Sequence, residues 1–287
     1  FFFFLEIDTL MSTVDSLRYY KHFLQAGFMV MEPKTGHIKA WVGGINHKYF
    51  KYDHVYYGKR QPGSTFKPIV YTAAIDNGYS PCQTAVDAAV TYNFPGQDPP
   101  VWKPENADGK YTGAVMTLRQ AMAKSVNSIT AWVMRQIGPR TVVEYARKLG
   151  IESRLDAVPS LSLGAGGDVS IFELVGAYGT FINKGVYTRP FFISRIEDEN
   201  GNVIQQFIPE TKEALNEETA YIMLHMLKGT SEPGGTAQGL EYFLKQENEI
   251  GGKTGTTQNA SDGWFMGVTK DLSSHFTVQI IATWYPL

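Results

Sequence analysis

Ser64 and Lys67 stand three residues apart in the run Arg60-Gln61-Pro62-Gly63-Ser64-Thr65-Phe66-Lys67-Pro68. The residues that follow, Ile69 to Ile75, read as a helix closed by Asn77-Gly78, a good C-terminal stop. Pro68 is tolerated in the first turn, where a missing N–H costs little. Ser64 therefore falls at the helix N-terminus, with Lys67 one turn on and on the same face. A serine hydroxyl attacks poorly until a base takes its proton. A lysine amine can be that base when it is neutral, and burial or a neighbouring cation lowers its pKa. The helix N-terminus also favours negative charge developing nearby. The same spacing fits a capping serine and a solvated lysine, so the rest of the chain must decide.

Two more short motifs follow in order, Ser125-x-Asn127 and Lys253-Thr254-Gly255-Thr256. Each is weak alone, and Ser125-x-Asn127 also reads as an ordinary helix junction built of capping residues. A second Lys-Thr-Gly, Lys34-Thr35-Gly36, follows Pro33 in a hairpin context and reads as a turn without a chemical role. Other chemistries find little support. The six histidines form no His-x-x-x-His pair, and no Glu accompanies them at zinc-site spacing, which disfavours a metal enzyme. Cys82 is the only cysteine, so it makes no internal disulfide. No glycine-rich dinucleotide or phosphate loop is present, and no cofactor is expected. The formal net charge is −2, with no basic stripe, which argues against a nucleic-acid partner.

The elements that must position these residues read as follows. Leu10 to Leu24 has helical spacing and ends by Gly27, and Phe28–Met31 with His37–Val42 makes a β-hairpin. Residues 45–59 form a polar, aromatic tract, with cleft lining and plain loop packing both open. Residues 80–111 are a long irregular connection rich in Pro, Gly, Asp and Asn. Thr117 caps a helix through Lys124, the chain pauses at Ser125–Ser128, and helices follow over Ile129–Ile137, Thr141–Leu149 and Ile171–Ile182. From Phe191 the period changes. Phe192–Ile196 and Val203–Phe207 make a hairpin around Asn200-Gly201. Asn216 opens a helix over Glu217–Lys228, and Gly234–Ala237 is a candidate start for another. Ile250–Thr257, Trp264–Val268 and Phe276–Trp284 read as three antiparallel strands, with a turn at Asn259–Gly263. The run Phe1–Leu5 is too short to span a bilayer, and four leading phenylalanines suggest a fragment whose upstream part lies elsewhere.

Together and in this order, the three motifs match a known signature, and the chain resembles the transpeptidase domain of penicillin-binding proteins. The form Arg60-Gln61-Pro62-Gly63-Ser64-Thr65-Phe66-Lys67-Pro68-x-x-Tyr71 is most similar to the class A, bifunctional members. The stretches Pro159–Gly164, Ala177–Gly185 and Asp262–Gly267 agree with it, and the match runs from about Phe28 to Trp284. The resemblance implies an α+β, β-lactamase-like fold over residues 1–287. An antiparallel sheet is flanked by helices, residues 112–190 are mainly a helical lobe, and the active site lies at their junction. It also implies that a glycosyltransferase domain and a membrane anchor belong to the intact protein but lie outside this chain. The expected location is the outer face of the bacterial cytoplasmic membrane.

The resemblance assigns roles. Ser64 attacks the carbonyl between two D-alanines and Lys67 takes its proton. Ser125 relays a proton to the leaving amine, and Asn127 holds the substrate amide and touches Lys67. Lys253 helps keep Lys67 neutral. Thr254 and Thr256 hydroxyls bind the terminal carboxylate, and Gly255, lacking a Cβ, lets the acyl chain lie close along the strand. Backbone N–H groups of Ser64 and Thr256 form the oxyanion hole. The expected reaction is D,D-transpeptidation between peptidoglycan stem peptides, a D-Ala-D-Ala donor and an amine acceptor, with β-lactams trapping Ser64. A hydrolytic carboxypeptidase or β-lactamase reading and a β-lactam sensor reading stand beside it. The β-lactamase reading needs a Glu-x-x-x-Asn between the second and third motifs, and none is found. Glu105, Glu173 and Asp262 read as structural before catalytic.

Overall fold

The computed structural model describes residues 8–21, 23–94, 96, 100–242, 249–257, 261–270 and 276–281. Helix α1 (Thr13–Lys21) precedes the hairpin of β1 (Phe28–Met31) and β2 (Ile38–Val42), and turns lead from there to α2 (Lys67–Asp76). Short strands β3 (Thr84–Val86), β4 (Tyr92–Asn93), β5 (Val101–Trp102) and β6 (Val115–Thr117) come next. Helices α3 (Leu118–Ala123), α4 (Asn127–Ile137), α5 (Pro139–Lys148) and α6 (Ile171–Ile182) follow. Then come β7 (Val186–Thr188), β8 (Arg195–Glu197), β9 (Val203–Gln206), β10 (Thr211–Glu213) and α7 (Glu217–Lys228). Strands β11 (Ile250–Thr256), β12 (Gly263–Lys270) and β13 (Phe276–Ile281) stand last.

The main sheet runs β11-β12-β13-β1-β2 and is antiparallel throughout. The three strands expected near the C-terminus pair in sequence order, and the early hairpin joins them where Phe28 faces Ile281. The strand β11, which carries the third motif, is thus an edge strand. The expected run Phe1–Leu5, the residues Asn259 and Ala260 of the turn, and the last three positions of the strand expected to end at Trp284 lie outside the described residues.

Helix α2 is buried along nearly its whole length, from Lys67 to Ile75, as a helix apolar all round should be. It packs on α4, α5 and α7, while α6 lies on β1, β12 and β13. Phe66, Ile69, Val133, Leu174, Tyr178 and Met223 are fully buried in one continuous core. Each such side chain contributes roughly 1.5–3 kcal/mol of transfer free energy. Caps fix where the surrounding helices begin. Thr117 and Ser170 form capping boxes with Gln120 and Glu173, and Asn216 accepts from the Thr219 N–H. Each is worth about 1 kcal/mol.

Three elements differ from the sequence reading. Helix α4 begins at Asn127 rather than Ile129 because the Asn106 side chain accepts from the N–H groups of Asn127 and Ser128, at 3.0 and 3.1 Å. Helix α1 spans Thr13–Lys21, so Leu10 precedes it, and Leu10, Val14 and Leu17 are exposed. The expected helix at Gly234–Ala237 is instead a turn, followed by a 3-10 segment over Gln238–Tyr242.

Candidate active site

Ser64 lies in a single 3-10 turn, Gly63–Phe66, that runs straight into α2. The turn is held from three sides. Thr65 donates through Oγ1 and N to the Pro62 carbonyl, at 2.6 and 3.2 Å, and Tyr178 donates to the Thr65 carbonyl at 2.7 Å. Gly63 has φ +54, and a Cβ there would meet the Thr256 carbonyl oxygen at 2.8 Å. On the other side, a Cβ on Gly164 would fall 2.3 Å from the Gly63 oxygen. Backbone from β11 and from the 159–164 turn therefore clamps the residue before the nucleophile, and only glycines leave the room. Ser64 itself is half-buried, and its side chain makes no hydrogen bond among the described residues.

The two lysines meet on one hydroxyl. Lys67 Nζ donates to the Ser125 carbonyl at 2.7 Å, to Asn127 Oδ1 at 2.7 Å and to Ser125 Oγ at 3.2 Å. Lys253 Nζ donates to the same Ser125 Oγ at 2.9 Å and to the Thr254 carbonyl at 2.9 Å. Both lysines are fully buried. Burial, and then the charge of Lys253, push Lys67 well below the ordinary lysine range. Burial brings Lys253 down to about 7. When one amine is neutral, Ser125 can donate to its lone pair while accepting from the other, so the hydroxyl links the two nitrogens through one proton. Ser125 adopts φ +56, a conformation rare outside glycine, which aims its carbonyl and its hydroxyl at the same ammonium.

The loop carrying Ser125 and Asn127 rests on residues to which the sequence reading assigned no role. Asp87 is buried and accepts from Ser128 Oγ, from Thr112 N and Oγ1, and from Asn106 Nδ2. Burial alone would raise its pKa, but these hydrogen bonds outweigh that and hold it at about 2. Asn106 in turn caps α4, and the Glu105 carbonyl accepts from Asn127 Nδ2 at 2.7 Å. That contact turns Asn127 Oδ1 toward Lys67. No local pattern in the sequence marks Asp87 or Asn106, because their partners lie 19 to 41 residues away.

Ser64, Lys67, Ser125, Asn127 and Lys253 are thus drawn to one junction of turn, helical segment and edge strand. Thr254 and Thr256 alternate with Lys253 and Gly255 along β11 and take the opposite, more exposed side. Gly255 has a packing role as well. A Cβ on Gly255 would meet the Pro62 oxygen and Thr65 Cγ2, both at 2.9 Å. Its missing side chain makes room for the nucleophile turn. Glu173 and Asp262 are engaged through their carboxylates, and Glu105 through its backbone. Glu173 accepts from Ser170, Ser153 and the Glu152 N–H, and the Glu105 carbonyl holds Asn127. Asp262 pairs with Arg60 at 2.5 and 3.2 Å and closes the end of β11 through Thr257. Among the described residues no cluster of His, Cys, Asp and Glu suits a metal ion, and no helix is long and apolar enough to cross a membrane.

The chain is similar to known proteins over most of its length. The family model described as penicillin binding protein transpeptidase domain matches residues 26–283. Penicillin-binding protein 1A of Aquifex aeolicus is 35% identical over 246 residues, covering 85% of this chain and 32% of that protein. Its counterpart from Neisseria gonorrhoeae is 33% identical over 255 residues, covering 87% of this chain and 31% of the relative. The chain therefore spans about a third of the length of these relatives. The crystal structure of penicillin-binding protein 1A from Haemophilus influenzae superposes with TM-score 0.80 at 23% identity, over 90% of this chain and 43% of that one, a likeness of fold.

Proposed function

We propose, for a chain that belongs to the penicillin-binding protein transpeptidase family, that Ser64 is the acylated residue of a D,D-transpeptidase that cross-links peptidoglycan. The observation that carries this reading is the single hydroxyl, Ser125 Oγ, held between two buried lysine nitrogens beside the Ser64 turn. Ser64 Oγ attacks the carbonyl between the two D-alanines of a stem peptide, and Lys67 takes its proton. Backbone N–H groups of Ser64 and Thr256 receive the negative charge on the oxygen, each worth about 3 kcal/mol in the transition state. The proton passes through Ser125 to the departing D-alanine amine, and the C–N bond breaks. An amine of a second stem peptide then attacks the acyl-enzyme and returns Ser64 to its hydroxyl form.

Lys67 is engaged with Ser125 and Asn127 in the free state. Catalytic contacts of this kind commonly tighten only when substrate arrives. Glu173 supports transfer over β-lactamase-like hydrolysis, since both its oxygens already accept from Ser153, Ser170 and the Glu152 N–H. β-Lactams, which copy acyl-D-Ala-D-Ala, would leave a long-lived adduct on Ser64. The intact protein would be anchored at the outer face of the cytoplasmic membrane and carry a glycosyltransferase domain. Intact mass after brief exposure to benzylpenicillin, with peptide mapping, tests the reading. One adduct on the Ser64 peptide, absent in Ser64→Ala, is expected. Rapid drug turnover without an adduct would instead indicate a hydrolase.

A further inference from the structure

We propose that Thr236 is a substrate-binding residue whose hydroxyl donates to the terminal carboxylate of the acyl donor. The inference rests on the transpeptidase reading and adds a residue outside the three motifs. Thr236 lies in the turn after α7, and that turn is tied to both walls of the site. Thr230 Oγ1 donates to the Gly252 carbonyl at 2.7 Å, and Ser231 Oγ to the Ile250 carbonyl at 2.8 Å. The Thr236 N–H reaches the Ala123 carbonyl at 3.1 Å, two residues before Ser125. Arg119 Nη2 pairs with Glu232 at 2.6 Å. A side chain placed by so many anchors would be expected to pack, yet Thr236 is exposed.

The one hydrogen-bond partner of the Thr236 hydroxyl among the described residues is informative. Thr254 Oγ1 donates to Thr236 Oγ1 at 2.8 Å. A hydroxyl has one hydrogen to give. Thr254 has given its own to Thr236, so the donor this pair still offers is the Thr236 hydrogen. Receiving one hydrogen bond polarises the next, which makes Thr236 the stronger donor of the two. Thr256 lies two residues along the same side of β11, exposed, with no side-chain hydrogen bond among the described residues. The Lys253 nitrogen sits at the Thr254 carbonyl. Two available hydroxyls on the exposed side of β11 suit a carboxylate, which accepts both, better than an ester, which has no charge for them to stabilise.

The test measures the second-order rate of Ser64 acylation by benzylpenicillin and by its methyl ester. In Thr236→Val the rate with the acid should fall about tenfold, the size of one hydrogen bond to a charged group. The rate with the ester should stay within twofold, and Thr236→Ser should restore the acid rate. Equal losses with acid and ester would overturn the proposal and make Thr236 a tie for the turn alone. An unchanged acid rate in Thr236→Val would overturn it as well, while leaving the transpeptidase reading intact. A wild-type protein that neither compound acylates would overturn both.

Discussion

The tripeptide Lys-Thr-Gly occurs twice in this chain, and its two settings show what makes it chemical. At 34–36 it closes the β1–β2 hairpin. Lys34 is exposed, the Thr35 hydroxyl accepts from the His37 N–H at 3.3 Å, and Gly36 turns the chain with φ +77. At 253–255 it lies in the edge strand β11. Lys253 is fully buried against Ser125, Thr254 meets Thr236, and Gly255 presses on the Ser64 turn without a positive φ. Both glycines are sterically required, one against the Arg189 oxygen at 2.7 Å and the other against the Pro62 oxygen at 2.9 Å. The difference lies in what the backbone does with the lysine. A turn points it into water, away from any site residue. An edge strand lays it in the core beside a second lysine, where its proton becomes shareable.

The sharpest way to break the comparison is to remove each lysine. Lys253→Ala should slow acylation of Ser64 by benzylpenicillin by about 100-fold, within the range for loss of a group that assists proton transfer. Lys34→Ala should change it less than twofold, with stability within about 0.5 kcal/mol of wild type. Stopped-flow or quenched acylation kinetics give the rates. Comparable losses in the two variants would remove Lys253 from the site. The glycines sharpen the contrast further. Gly255→Ala and Gly36→Ala should each cost about 1–3 kcal/mol in thermal or denaturant unfolding, one through overpacking and the other through a strained backbone. Only Gly255→Ala should also slow acylation of the folded protein, by about tenfold, because its Cβ displaces the Pro62–Thr65 turn.

The parts of this molecule that could be read from sequence were those with local causes. Thr117, Ser170 and Asn216 announce their helices through side chains that bond within three residues, and the structure has each cap in place. The strands β12 and β13 show themselves by apolar runs between turns, and the order of β11, β12 and β13 follows from short connections. The lysine at 253 was placed by matching a known signature, since nothing in its immediate neighbours distinguishes it from the lysine at 34. What stayed hidden depends on pairings between distant residues. Asp87 and Asn106 hold the Asn127 segment across an irregular tract that has no periodicity to read. The joining of β1 to β13 pairs residues from opposite ends of the chain. The contact of Gly255 with Pro62 and Thr65 is hidden too, because strand alternation says that it faces away from Thr254 but not what waits there.

The smallest effect should be in the pH dependence of stability, where the two lysines again part. Burial puts the Lys253 pKa at about 7 in the folded protein, against about 10.4 in an unfolded chain. Between these values the unfolded state binds more protons than the folded one, so stability rises with pH. Lys67, lowered in the same direction by burial and by Lys253, adds to the slope. Below about pH 7 the folded protein bears the full cost of holding a proton on Lys253 in the core, and the cost fades as pH climbs toward 10. Wild-type protein should therefore gain stability between pH 7 and pH 9 in urea unfolding. Lys253→Met should flatten that gain, and Lys34→Met should leave it as it was. A flat profile in wild type, or the same slope in Lys253→Met, would mean that Lys253 keeps an ordinary pKa in the folded state. Ser125 Oγ would then lie between two permanent cations, with no shared proton to pass on.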